Sequence, residues 1–236
     1  MAASKNLNGT ISQTVDTALH ALEVLAELPS PPTVSEFAEA LQVNSAKAYR
    51  TLRTLEQRRF VIRDGSGRIS LGPKLLRLAQ GVSPSLHTAA MPALRELAYK
   101  LKMTAFITVL DGERVVTLAA IEPTDVTATI AREAGASHHI SHGAPGHAIE
   151  STLTPHELAS YTGATKLSDA AKSVRESGYS VTRSEVLDGV NALAVPLRLH
   201  NQVPAAVAVV HFNFPSDLSP IVDAVNAAAA QIKRQF

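Results

Sequence analysis

The densest chemistry in this chain is cationic. Six basic side chains (Lys47, Arg50, Arg53, Arg58, Arg59 and Arg63) fall within 47–63 against the single acid Glu56. Wound at the α-helical period, Ser45–Arg58 gathers Ala48, Leu52 and Leu55 on one stripe and leaves Arg50 almost opposite. Ala46, Lys47, Arg53 and Thr54 flank Arg50. An aliphatic back can be buried while the front meets a polyanion. Arginine can bond guanine O6 and N7 together, and Lys or Thr can take phosphate or base edges. Ala46, Lys47 and Arg50 are the candidates for base contact, and Arg53 and Thr54 for phosphate, with Ser45 and Tyr49 on the same candidate surface. Taken without its neighbours, such a run reads equally as a solvated helix face. Arg63 and Arg68 flank a turn at Asp64–Gly67, where a cation can meet a phosphate or the minor groove.

A second concentration is imidazole. His138-His139-Ile140-Ser141-His142 has the look of a metal tract, and His147, His211, Glu133 or Glu150 could add to it. In an extended segment His138 and His142 project to one face and His139 to the other, so three ligands do not converge from this stretch alone. No metal is assigned, and no cofactor. Ser141, His142 and Asp188 make a nominal triad, but no Gly-x-Ser-x-Gly elbow, Walker loop or dinucleotide fingerprint accompanies them. An enzyme is not expected.

These residues need elements to position them. Apolar residues recur at helical spacing over Ile11–Leu28, and Pro29-Ser30-Pro31-Pro32 ends that helix. Thr33 or Ser35 caps a short helix through Leu41, and Asn44 or Ser45 caps the next, which carries the basic face. Phe60–Arg63 and Arg68–Leu71 read as strands around an Asp-Gly-Ser-Gly turn. Helix, short helix, turn, helix and hairpin is the order of a winged helix-turn-helix. Pro73–Ser83 reads as a linker helix.

Beyond Pro84 the pattern mixes helix and strand. Helices are expected at Met91–Lys102, from Gly146, at Pro155–Tyr161, at Ser168–Ser177 and at Ile221–Phe236. Strands are expected at Thr104–Leu110, Arg114–Ile121, Val126–Arg132, Ser180–Arg183, Ala192–Leu199 and Val203–Phe212.

The totals agree with two domains. The chain has 236 residues, 45% hydrophobic and 18% charged, with 4% aromatics and no Trp, so its cores must be aliphatic. Cysteine is absent, which excludes disulfides and thiolate chemistry. The net charge of +1 hides a split: residues 1–83 hold ten Lys and Arg against seven Asp and Glu, and the remainder twelve against fourteen. A basic module coupled to a mildly acidic one suits a polyanion reader with a partner domain. No apolar run is long enough to span a bilayer, and Met1–Gly9 lacks an apolar signal-peptide core, so a cytoplasmic address with a flexible leader over 1–10 is expected.

Several stretches together resemble the IclR family of bacterial regulators over nearly the whole length. They are Ser12–Leu19, the helix-turn-helix from Thr33 to Leu55, Leu71-Gly72-Pro73-Lys74-Leu75-Leu76, Gly143-Ala144-Pro145-Gly146-His147-Ala148, Glu185–Val190 and Ala192-Leu193-Ala194-Val195-Pro196. The resemblance implies an α+β chain. A winged helix-turn-helix domain over 11–72 leads through a linker helix over 73–84 to a GAF-like α/β effector domain over 85–236, built on a largely antiparallel sheet. It also implies a regulator, more often a repressor, that binds palindromic double-stranded operators as a homodimer or homotetramer. Its members dimerise partly through the helix matching Ile11–Leu28.

Family effector positions fall here on Thr127, Ile130, His138, Ala144, Pro145, Thr182, Val190, Ala192, Val209 and His211. Members that recognise small α-keto acids carry an acid at the Thr182 position, Cys at that of Ala192, and serines at those of Val209 and His211. This chain has none of them, and it has His147 where a Lys is frequent and Arg59 where Gly is usual. An aliphatic lining with His138 and His211 as polar anchors leads us to expect a larger or less polar ligand, an aromatic or medium-size carboxylate. Ala46-Lys47 stands where relatives usually have Ser-Thr. This points first to a different operator, and it is the one hint toward the alternative, a small-molecule or metal sensor that acts through protein partners without reading DNA.

Overall fold

The computed structural model describes residues 11–126 and 128–236. The leader expected over 1–10, and Thr127 among the effector positions, lie outside the described residues. The chain divides into two compact units, one ending at Ser83 and the other beginning at Pro84.

In the first unit, α1 (Gln13–Glu27) buries Thr17, Ala21 and Leu25. Leu28, which precedes Pro29, has already left helical geometry (φ −70°, ψ 134°), because the proline ring disfavours a helical residue before it. α2 (Val34–Ala40) starts in a reciprocal capping box: Thr33 Oγ1 accepts from the Glu36 amide (3.3 Å), and Glu36 Oε2 from the Thr33 amide (2.7 Å). α3 (Ser45–Gln57) is capped by Asn44, whose Oδ1 accepts from the Lys47 amide at 2.8 Å. Ala48, Leu52 and Leu55 of α3 are buried against Phe37, Val61 and Ile69. Burying Phe37 or Leu52 contributes roughly 1.5–3 kcal/mol each.

The wing pairs β1 (Val61–Arg63) with β2 (Ile69–Leu71), in register Val61 to Leu71 and Arg63 to Ile69. Asp64 folds its tip, accepting from the Ser66 hydroxyl (2.7 Å) and from the Ser66 and Arg68 amides (2.9 Å each). Those bonds, the Ser66 hydroxyl foremost, hold the Asp64 carboxyl below its usual range. Gly72 sits against the chain before the wing, where a Cβ would lie 2.4 Å from the Arg59 carbonyl oxygen. The linker helix is shorter than expected: α4 (Lys74–Ala79) buries none of its residues.

The second unit is an antiparallel sheet with helices on both faces. It begins with α5 (Pro84–Leu101), which starts seven residues before the expected Met91. The strands are β3 (Thr104–Asp111), β4 (Arg114–Ile121), β5 (Ser137–His139), β6 (Ser180–Arg183), β7 (Asn191–Leu197) and β8 (Ala205–His211), in spatial order β5-β4-β3-β8-β7-β6. α6 (Gly143–Ser151), α7 (Pro155–Thr162) and α8 (Asp169–Ser177) lie between β5 and β6 in the chain, and α9 (Ser219–Lys233) follows β8.

Strand alternation sorts the core into two layers. Ile107, Leu193, Val207 and Val209 pack with Leu94 and Leu97 of α5 and Val225 and Ile232 of α9. Phe106, Ala194, Ala208 and Val210 pack with Ala144, Ala148 and Ile149 of α6.

One expected strand is not formed. The described residues of 126–132 join no ladder, and the sheet edge is β5, paired to β4 from Arg114 with His139 to Val116 with Ser137. A β-branched run resembles a strand, but here a side chain anchors it: Thr104 Oγ1 donates to the Ile130 carbonyl at 2.8 Å. This leaves Ile130 and Arg132 beside a cavity. α6 begins at Gly143 rather than Gly146.

Candidate functional site

The exposed side of α3 carries the expected surface. Ser45, Ala46, Tyr49, Arg50, Arg53 and Thr54 are exposed and Lys47 is half-buried, while Ala48, Leu52 and Leu55 face the core. The Thr54 hydroxyl donates to the Arg50 carbonyl at 3.0 Å, so its proton is used within the helix. Arg58 and Arg59, also exposed, extend the cationic surface past the helix end. They were left out of the candidate set because the helical projection follows the front of the helix and not its exit.

The wing cations differ from expectation. Arg63 is clasped by Glu56, with Nε donating at 2.9 Å and Nη2 at 3.3 Å, which raises its pKa. Arg68 donates to the Pro31 carbonyl at 2.7 Å and lies 3.7 Å from Glu36. Both guanidiniums tie the wing to the helices behind it, so neither stands as an unengaged cation at the wing tip.

In the second unit, Ile130, His138, Pro145, Thr182, Val190 and Ala192 line a cavity between the sheet and the start of α6. Ala144 is fully buried beneath them, its amide donating to Thr182 Oγ1 at 3.2 Å. Val209 and His211 are corrections. Val209 pairs with Leu193 and packs under α5 and α9, on the other face of the sheet. His211 shares its strand parity, and its Nδ1 lies 2.6 Å from the Asn213 carbonyl. Val210 takes the lining position instead. One residue of strand register exchanges the faces.

Sequence reasoning also missed Phe106, Arg132, Val186 and Leu187 in the lining. Arg132 Nε donates to Thr117 Oγ1 at 3.1 Å, and its guanidinium carbon sits 5.1 Å from the centre of the Phe106 ring. Among the described residues it has no carboxylate within ion-pair distance, and burial lowers its pKa. Burial likewise lowers the pKa of His138. The space between these atoms, with its solvent-open mouth included, is about 420 Å³. It is a slot. Its outer wall is the β6–β7 loop, pinned where Glu185 Oε1 lies 3.4 Å from His147 Nε2.

The remaining histidines disperse. Ser141 Oγ lies between His139 Nδ1 (2.7 Å) and His142 Nδ1 (2.8 Å), while His147 Nε2 faces the Ser141 carbonyl (3.1 Å). Glu150 is committed to capping α8, accepting from the Ser168 amide (2.6 Å) and hydroxyl (2.8 Å). Among the described residues no three His, Asp or Glu side chains converge as metal ligands, and no hydrogen bond from Asp188 completes a triad with His142.

A capped basic helix beside a wing, followed by a sheet domain with a mostly apolar cavity that holds one arginine, fits the class of DNA-binding regulators that carry their own ligand sensor. Residues 14–65 match the IclR helix-turn-helix domain, and residues 82–234 match the bacterial transcriptional regulator IclR C-terminal domain. The chain belongs to the IclR family of transcriptional regulators, with a DNA-binding helix-turn-helix and a C-terminal effector-binding domain.

It is 28% identical to the HTH-type transcriptional regulator KipR of Bacillus subtilis, over 95% of this chain and 97% of that one. An IclR transcriptional regulator from Alicyclobacillus acidocaldarius has the same fold, with TM-score 0.81 and 26% identity over 96% of this chain and 99% of that one. So does an IclR homologue from Microbacterium hydrocarbonoxydans complexed with 4-hydroxybenzoate, with TM-score 0.77 and 18% identity over 94% of this chain and 98% of that one. Among the described residues no helix is long and apolar enough to cross a membrane.

Proposed function

We propose that this chain is a cytoplasmic repressor that holds a palindromic operator as a homodimer or homotetramer and is released by a small organic acid bound in the slot of its second unit. The observation that carries the DNA half is α3, whose aliphatic stripe is wholly engaged by the core while Arg50 and Arg53 are left exposed and Lys47 half-exposed. In helix-turn-helix docking the start of the second helix reads bases, which makes Ala46, Lys47, Tyr49 and Arg50 the specificity surface and Arg53 a phosphate contact. Val15 and Leu19 of α1, each 56% exposed, support a partner chain on that helix. The 4-hydroxybenzoate bound by the Microbacterium relative supports an aromatic acid as effector.

A gel-shift with DNA from upstream of the gene tests the reading. Specific, salt-sensitive binding is expected, and Arg50→Ala should weaken it by about 1–3 kcal/mol with relaxed specificity at one base pair. Arg53→Ala should weaken all sequences alike and reduce the salt slope by about one. Unchanged binding by Arg50→Ala would remove α3 as the reader. An effector that strengthens operator binding would turn the proposed repression-and-release scheme around.

A further inference from the structure

We infer that Arg132 and His138 act together as the receptor for one carboxylate on an apolar body, and that binding draws a proton onto His138. This rests on the reading of the second unit as an effector domain and specifies what that domain selects. Besides Thr182, whose Oγ1 accepts from the Ala144 amide, the rest of the lining is apolar, with Phe106, Ile130, Val190 and Val210 among it, and none of these can balance a charge. Arg132, half-buried, spends Nε on Thr117 and faces Phe106, and among the described residues its terminal nitrogens donate to no protein acceptor, so they are open to a ligand at the slot. A half-buried guanidinium favours a planar anion that can accept two bonds at once.

The tautomer of His138 follows from its neighbour. Nδ1 lies 3.0 Å from the His139 carbonyl, which can only accept, so Nδ1 carries the hydrogen and neutral His138 presents a lone pair at Nε2. That edge faces Gly143 at the mouth of α6, where a Cβ would stand 3.4 Å from Nε2. A carboxylate beside a lone pair is repelled, and beside an N–H it is bonded. The charged groups around His138 are Arg132, His142 at the start of α6 and Arg114 on β4. Burial foremost, and these neighbours after it, lower the pKa of the free imidazole against the His139 carbonyl, which raises it. An entering anion offsets that field and lets the ring take up its proton. Binding should therefore tighten as pH falls, by at most about tenfold per pH unit for one proton.

Calorimetry on the full chain tests this with benzoate and hexanoate against benzamide and hexanamide, which keep the shape and lose the charge. At least one acid should bind roughly tenfold or more tighter than its amide. Repeating the titration in two buffers of different ionisation enthalpy should show net proton uptake. Arg132→Gln should abolish the preference for the acid, and Arg132→Lys should restore part of it; a normal melting curve for the lysine variant separates this from misfolding. His138→Gln should keep the acid preference and lose the proton uptake. The clamp is overturned if no acid of the panel binds at millimolar concentration, if amides bind as well, or if uptake survives His138→Gln. A chain that binds its operator and is released by a neutral ligand would sink the clamp alone. Loss of operator recognition with acid binding intact would instead strike the regulator reading.

Discussion

Arg63 and Arg50 show how two identical side chains on one basic surface come to different uses. Arg50 leaves α3 on the side away from the core, and that exposure could be read from the helical period alone. Arg63 stands in an equally basic context, yet it reaches back to Glu56, seven residues earlier, across a helix–strand junction whose angle no periodicity describes. Its charge is spent inside the wing. Glu56→Gln should free Arg63 at a stability cost below about 1 kcal/mol, because the pair is partly solvated. In denaturant melts, a larger loss would mean that the clasp organises the wing. His138 makes the complementary case. Burial keeps its folded-state pKa below the ordinary value, so protonation opposes folding. That contribution to stability is present above the ordinary histidine pKa and is lost as pH falls from there toward the lowered one. His138→Gln should flatten the acid side of the melting-temperature profile without ligand. An identical profile in both proteins would exclude His138 as its origin.

At the level of elements, helices with a stripe and a cap were legible. Asn44, Thr33 with Glu36, and the Asp64–Gly67 turn each satisfy local backbone groups with local side chains, so spacing alone locates them. Val126–Arg132 was not legible, because a β-branched run is compatible with a strand and only the competing partner decides. β4 already pairs with β5, and Thr104 holds Ile130 by its carbonyl. Misplacing that segment concealed Arg132, and carrying the family positions onto β8 one residue out of register put Val209 and His211 in the place of Val210. Two glycines have roles that pattern reading also left open. A methyl group at Gly72 would meet the Arg59 carbonyl oxygen at 2.4 Å, and one at Gly146 would meet that of Ile140 at 2.2 Å. Both obstacles are backbone, so Gly72→Ala and Gly146→Ala should each destabilise their own unit by about 1–3 kcal/mol. Limited proteolysis would locate each effect, and an unchanged midpoint for either variant would show that the backbone yields there.

For the molecule as a whole, length, charge split and family resemblance indicated two functional parts, and what they did not reveal was surface left over after folding. Val15 and Leu19 repeat at helical spacing on α1 and are 56% exposed, and Ile11, just ahead of the helix, is 75% exposed. The unit's own core takes Ala21 and Leu25 from the same helix, so among the described residues this second stripe is left exposed. Leu19→Glu should leave each unit folded, lower the assembly state in analytical ultracentrifugation, and weaken a two-half-site operator more than a single half-site. An unchanged sedimentation coefficient would place the oligomer contact elsewhere.

The β6–β7 loop has a consequence in time. Val186 and Leu187 of this loop line the slot, so an acid larger than the slot as it stands would enter by displacing this wall. Observed association rates should then level off as ligand concentration rises, reaching the opening rate of the loop. The interval between disappearance of the acid and return of the regulator to its operator would likewise follow that rate. Weakening the loop's pin with Glu185→Gln should shorten the memory of the switch, even where the equilibrium affinity for the acid is nearly unaltered.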